Sequence, residues 1–356
     1  MTQGIRPAGR VTIADVAIRA GVTSAVVSRL INNNPNLSIR PETRARVLAA
    51  IDDLGYRPNA AARSLSRSKS DAFGLIIPDF ENPVYAKIIE GAESAAVAMG
   101  CVLLTGSAVG SGLSSAQYIE RLGNGRVDGL LLAGTEGTSS LDESTSLSRL
   151  PFLMLNRRAP GVDRYLVLDD EGAAALAVSH LTGLGHSRIA HIAGPNRADT
   201  GQRRLNGYSR AMQSAGVQIA DDYVASADYT PAAGMHAMQR LLSLPEPPTA
   251  VFVASIASAI GALRAAMSRG VDVPDQISVV AVHDLPLAAY LSPPLTTVRM
   301  PLAELGARGL QLLADKPADA DITEVFGGPM QLILRESTAA PRRTKRITIT
   351  RDRSTR

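Results

Sequence analysis

The sequence predicts an α/β protein, with a small three-helix unit followed by two doubly wound parallel-sheet lobes. Three observations carry that reading. Residues 11–55 hold three short apolar patterns at helical spacing. From Phe73 onward, short continuous apolar runs alternate with longer helical stretches, as in parallel strands covered on both faces. The chain has 356 residues, against roughly 100–200 per domain, so the alternating region is too long for one open sheet.

The first helix follows Thr12-Ile13-Ala14-Asp15, a capping box with a threonine cap and an acid three residues on. Ile13, Val16, Ala17 and Ala20 share one face, and Gly21-Val22 turns the chain. A second helix begins at another hydroxyl cap, Thr23. Val26, Val27, Leu30 and Ile31 form its inner stripe; Ser24, Ala25, Ser28, Arg29 and Asn32 form a slim polar outer one. The third helix starts at Pro41, with a stripe of Val47, Leu48, Ile51 and Leu54, and stops at Gly55.

Three short helices with a glycine turn between the first two make a helix-turn-helix unit. A slim polar helix face suits the major groove of DNA. Charge points the same way: residues 1–70 carry +7 and residues 342–356 carry +6, leaving −9 on the middle of a chain whose net charge is +4. Basic ends on an acidic body suit a polyanion partner at the ends. The segment Asn59 to Leu65, with its alanine run, is too short to hold a helix alone and is expected to fold on binding. Leu65, a lone large apolar residue among Arg and Ser, suits a wedge between base steps in the minor groove.

Residues 11–65 resemble the lactose-repressor/galactose-repressor (LacI/GalR) family of bacterial transcription regulators. The stretches that carry this are Val11 to Ala17, Ala20 to Thr23, Val27 to Asn32, Glu42 to Arg44, Leu54 to Asn59 and Ala62 to Leu65. The resemblance implies that Ser24, Ala25 and Arg29 read base edges. It implies that Thr12, Thr23, Ser28 and Asn32 hold phosphates, and that Asn59, Arg63 and Leu65 belong to a DNA-binding hinge helix. The chain departs from the family pattern in a longer loop over 33–39, in Arg40 where a serine cap is common, and in Val26.

In the alternating region the strand candidates are Gly74 to Ile77, Val102 to Leu104, Gly129 to Leu132, Phe152 to Leu155, Ile189 to Ile192, Ala250 to Val253 and Ile277 to Val280. A break over Asn156 to Asp163 is the expected lobe boundary. Open parallel sheets bind ligands at the carboxyl ends of their strands, which nominates Asp79, Asn156, Ser255 and His283. The family resemblance extends here through Asn82 to Tyr85, Val127 to Gly129, Leu184 to Ile189, Arg204 to Tyr208, Pro293 to Val298 and Leu334 to Thr338. It implies a core similar to periplasmic sugar-binding proteins. Arg204 would grip the effector, Tyr229 would supply an aromatic face, and Asp79, Tyr85, Asn156 and Thr200 would line the cleft. Ser255-Ile256 stands where the family often has Asn-Asp, and His283 where it often has an acceptor Asp. With no tryptophan to stack on a ring, this favours a modified sugar, a sugar acid or a related polar metabolite over a plain hexose.

Enzyme signatures are lacking. There is no nucleophile elbow and no phosphate loop, and His180, His186 and His191 do not fall at metal-ligand spacing. No catalytic residue, metal or cofactor is expected. Cys101 alone excludes an internal disulfide. No apolar run approaches the ~18 residues of a membrane span, and Met1 to Arg10 lacks the apolar stretch of a secretory signal. A cytoplasmic protein is expected.

The predicted division is a helix-turn-helix domain over 1–57, a hinge helix and linker over 58–70, a two-lobe effector-binding and dimerisation core over 71–341, and a basic, disordered tail over 342–356. The predicted function is a sequence-specific transcriptional regulator, a repressor. It would bind a near-palindromic double-stranded operator as a homodimer, under control of a small polar effector held between the lobes. The alternative is a small-molecule binding protein without a DNA function.

Overall fold

The computed structural model describes residues 11–32, 34, 36–57, 69–107, 115–133 and 150–342. The chain forms two compact units, Met1–Ser70 and Asp71–Arg356.

The first unit holds α1 (Ile13–Ala20), α2 (Ser24–Ile31) and α3 (Pro41–Asp53). Thr12 and Asp15 form the capping box, and Gly21, with φ of 65°, closes α1 in the left-handed region. The core is Val16, Ala17, Ala20, Val27, Leu30, Val47 and Ala50. One expectation for α3 is corrected. Leu48 is 52% exposed and Ala50 is buried. The inward stripe is Val47, Ala50, Ile51 and Leu54, the i, i+3, i+4, i+7 set. Leu48 sits about 100° off that stripe.

The second unit contains two six-stranded sheets. The first is built from β1 (Ala72–Ile77), β2 (Val102–Ser107), β3 (Leu130–Leu132), β4 (Phe152–Leu155), β5 (Arg164–Leu168) and β11 (Ile322–Phe326), in the order β11-β5-β4-β3-β1-β2. All its pairings are parallel. The second is built from β6 (Ile189–Ala193), β7 (Val224–Ser226), β8 (Ala250–Val253), β9 (Ser278–Val282), β10 (Thr296–Arg299) and β12 (Gln331–Ile333), in the order β12-β10-β9-β8-β6-β7. Only β12 runs antiparallel there, along β10. The two orders match strand for strand, so β4 and β9 hold equivalent places.

Helices α4 (Val84–Ala98), α5 (Ser115–Gly123) and α10 (Leu302–Asp315) belong to the first lobe; α6 (Asp170–Gly183), α7 (Asp199–Ser214), α8 (Pro231–Leu242) and α9 (Ile256–Ser268) belong to the second. Glycine lets two helix pairs approach backbone to backbone. A Cβ on Gly91 of α4 would meet the Ala303 carbonyl of α10, and one on Gly261 of α9 would meet the Pro231 carbonyl of α8.

The expected lobe boundary is also corrected. Residues 156–163 join β4 to β5 within the first sheet, where Met154 pairs with Tyr165 and Leu155 with Leu166. The chain crosses between lobes three times: after β5, between β10 and α10, and between β11 and β12. A short strand behind a Pro-Gly turn reads locally like a linker. Its partner β11 lies far along the chain, so local sequence could not reveal the pairing.

Candidate functional site

The first candidate surface is the outer face of α2. Val27 and Leu30 are buried beneath it, and Val26 and Ile31 are half-buried. Ser24, Ala25 and Arg29 are exposed, while Ser28 and Asn32 are half-buried. The Thr23 hydroxyl accepts from the Val26 amide at 3.4 Å, which fixes the start of α2. At α1 the Thr12 amide and hydroxyl both donate to Asp15 Oδ2, at 2.8 and 2.7 Å. These bonds hold the Asp15 carboxyl below the usual carboxylate range. The surface therefore carries one cation, one methyl and several hydroxyls on a rigid slim helix. Asn59, Arg63 and Leu65 lie outside the described residues.

The second candidate site lies at the carboxyl ends of the strands in the two-lobed unit. Its centre is Arg204 on α7, which is buried. Its Nε donates to Asp170 Oδ1 at 2.7 Å, and Nη1 to the Ala254 carbonyl at 2.6 Å. Nη2 lies 2.6 Å from Asp170 Oδ1 and 3.2 Å from His283 Nε2. Burial opposes the charge, but the Asp170 carboxylate together with the Tyr229 and Tyr85 phenols raises the guanidinium pKa. Most of the fork is thus spent inside the protein. The Arg204 guanidinium also lies over the Tyr229 ring, 5.7 Å from its centroid.

Tyr229 is fixed in turn. Its hydroxyl lies 2.9 Å from Thr200 Oγ1, and its ring packs where a Cβ on Gly194 would stand. Tyr85, on α4 of the opposite lobe, is buried, and burial is the main cause that pushes its phenol pKa up. Charges on Arg157, Asp79 and Arg204 and the Tyr229 phenol also act on it, so residues of both lobes converge here. Asp79 Oδ1 accepts from the Asn82 amide at 2.7 Å, ordering the turn into α4.

Asn156 and His283 close their strands, β4 and β9, with left-handed backbones of φ 67° and 73°. Both are buried, and among the described residues Asn156 Oδ1 and His283 Nδ1 have no hydrogen-bond partner. Burial, then the Arg204 charge, push His283 well below the usual imidazole range. Ser255 has a different position. It caps α9, accepting from the Ser258 amide at 3.1 Å and lying 2.9 Å from Ser258 Oγ.

Sequence reasoning missed three members of the site. Asp170 is fully buried and bonds both Arg203 and Arg204. Arg203 also donates to the carbonyls of Leu168 and Asn156, at 2.6 and 3.2 Å. Arg157 presents a buried Nε with no hydrogen-bond partner among the described residues. The adjacent acids Asp169 and Asp170 do not face each other, which hid the fact that one of them faces α7. Arg157 lay in the stretch read as a lobe break. Three arginines embedded in an acidic body were the available signal.

Two family models match the chain. "Bacterial regulatory proteins, lacI family" covers residues 12–59, and "Periplasmic binding protein-like domain" covers residues 178–338. The transcriptional repressor CytR of Escherichia coli K12 is 36% identical over 308 residues, spanning 86% of this chain and 89% of its own. Among solved structures, the complex of the transcriptional regulator CelR with cellobiose is 32% identical, with a TM-score of 0.67, and covers 92% of this chain and all of its own. The lac repressor dimer bound to operator and an anti-inducer is 26% identical, with a TM-score of 0.83, over 93% of this chain and all of its own. The helical unit, the paired sheets and near full-length similarity agree: this chain belongs to the LacI family of bacterial regulatory proteins.

Proposed function

We propose that this protein is a cytoplasmic transcriptional repressor that binds a near-palindromic operator as a homodimer and is switched by a small polar effector held between its lobes. The observation that carries the reading is the outer face of α2, where Ser24, Ala25 and Arg29 stand exposed above a buried apolar stripe. That face is narrow enough for a major groove, and Arg29 can donate to guanine O6 and N7. Ala25 offers a methyl for thymine. One such unit reads a half-site, so two-fold pairing follows from the length of an operator. Val97, Met99, Val102 and Leu104 are exposed at the end of α4 and on the edge strand β2, an apolar edge suited to a second copy. CytR is named a repressor, and CelR and the lac repressor were solved with small molecules or operator bound.

Asp79, Tyr85, Asn156, Thr200, Arg204, Tyr229 and His283 are the proposed effector contacts, with Arg157 added and Ser255 acting through its cap on α9. The effector changes operator affinity by preferring one arrangement of the lobes over another. The Asn59 to Leu65 segment carries that change to the DNA, with Leu65 as its minor-groove wedge.

The test is duplex binding by the full-length protein across a salt series. Phosphate contacts demand a steep fall of log affinity with log salt, close to one unit of slope per phosphate neutralised. A flat salt response would leave a small-molecule binding protein without a DNA role.

A further inference from the structure

Asn156 and His283 occupy the same place in the two lobes, each directly after the third strand in its sheet order. Both are non-glycine residues with left-handed backbones. Both are buried, at 4% and 2% exposure, and each holds one polar atom without a partner among the described residues. Unpaired buried polar groups are costly, and strained backbones persist where a function needs them. Two such residues at equivalent places are the signature of a clamp for a molecule between the lobes.

The polarity of each jaw follows from its neighbours. Arg204 is a permanent cation with donors only. His283 Nε2 lies 3.2 Å from Arg204 Nη2, so it must be the accepting nitrogen of a neutral ring. The ring proton then sits on Nδ1, the atom without a partner. One lobe therefore offers a buried N–H donor at His283, and the other a buried acceptor at Asn156 Oδ1. Beside Asn156, Arg157 Nε is a second buried donor without a partner, and Arg157 forms no ion pair among the described residues. Of the nearby carboxylates, Asp170 is bound by Arg203 and Arg204, Asp199 by Arg203, and Asp79 accepts from the Asn82 amide through Oδ1.

Resting on the effector-site reading above, we propose that the effector is a polyhydroxylated carboxylate, a sugar acid. Its carboxylate takes the His283 Nδ1–H and Arg157 donors, and a hydroxyl donates to Asn156 Oδ1. Burial, then the Arg204 charge, push His283 well below the usual imidazole range, in keeping with the neutral ring that the contact with Arg204 requires. A carboxylate needs acceptor-seeking partners and a spare cation, and the clamp provides both.

The proposal is tested on the full-length protein in two ways. Nitrogen-15 NMR of the five histidines reads the tautomer, and a proton on His283 Nδ1 is expected. A proton on Nε2 would overturn the proposal. Calorimetry then compares gluconate, glucuronate and galacturonate with glucose and galactose. At least one acid should bind tenfold or more tightly than its parent hexose. His283→Asp should reduce that binding at least tenfold, while His283→Asn, which keeps an N–H donor, should retain most of it. A hexose bound more tightly than its acid, binding of none of the acids, or equal binding by His283→Asp and His283→Asn would each refute the assignment. Salt-dependent duplex binding by the same sample reports on the regulator reading separately, and it survives any of these failures.

Discussion

Asp170 is the residue on which the proposed effector site depends most. It is fully buried and is shared by the guanidinium groups of Arg203 and Arg204. Removing one partner of a buried pair strands the other charge, at a cost of about 3–5 kcal/mol. Asp170→Asn should therefore lower the denaturation midpoint of the protein sharply and abolish effector binding. A midpoint within error of wild type would show that the two arginines do not need it. The residue scale is also where sequence was least informative. Arg204, Tyr229 and Thr200 were nominated by family resemblance and do meet in one cluster. Asp170 was invisible because what makes it matter is the pair of guanidinium groups that the fold brings to it from α7, and Arg157 because it stands in a stretch that reads locally as a break.

At the scale of elements, local signals worked well where the physics is local. The cap at Thr12, the turn at Gly21 and the stripe of α2 were legible because each depends on residues within a turn or two. Thr12→Ala should cost roughly 1 kcal/mol of stability in the helical unit. Urea denaturation followed by helical circular dichroism checks this, and no change would mean that Asp15 alone satisfies the helix start. Helix pairs are the opposite case. Gly261 sits against the Pro231 carbonyl of a neighbouring helix, a contact no periodicity reveals. Gly261→Ala should separate α8 and α9 and destabilise the second lobe by about 1–3 kcal/mol, as overpacking does. An unchanged melting temperature would show that the pair gives way freely. The same limit explains the misplaced lobe boundary, since β5 pairs with β11 across the whole second lobe.

The whole molecule follows from two sheets of matching strand order, crossed by the chain three times. Alternation of apolar runs and helices was enough to predict both lobes; the crossings were not, because a chain that leaves and returns makes no local mark. Buried histidines give the folded core a pH response. His191 stacks with both Tyr208 and Phe252, and burial lowers its pKa to about 4. His180, His186 and His283 shift in the same direction, each chiefly through burial. Below the ordinary value of 6.5 the unfolded chain takes up protons that the folded chain refuses, so stability falls as pH drops from 6.5 towards about 4. Thermal unfolding at a series of pH values should show that decline, and His191→Phe should make it shallower. A melting temperature that rises on acidification would contradict the burial of these rings.

If the outer face of α2 reads DNA sequence, Arg29 is the residue that shows it most directly. The measurement is the affinity of wild type and Arg29→Ala for an operator selected from random duplexes and for unselected duplex, at fixed salt. A loss of about 1–3 kcal/mol is expected on the operator, with binding to unselected duplex nearly unchanged. Equal losses on both would mean that Arg29 only meets phosphate, and no loss on either would mean that α2 does not face the groove.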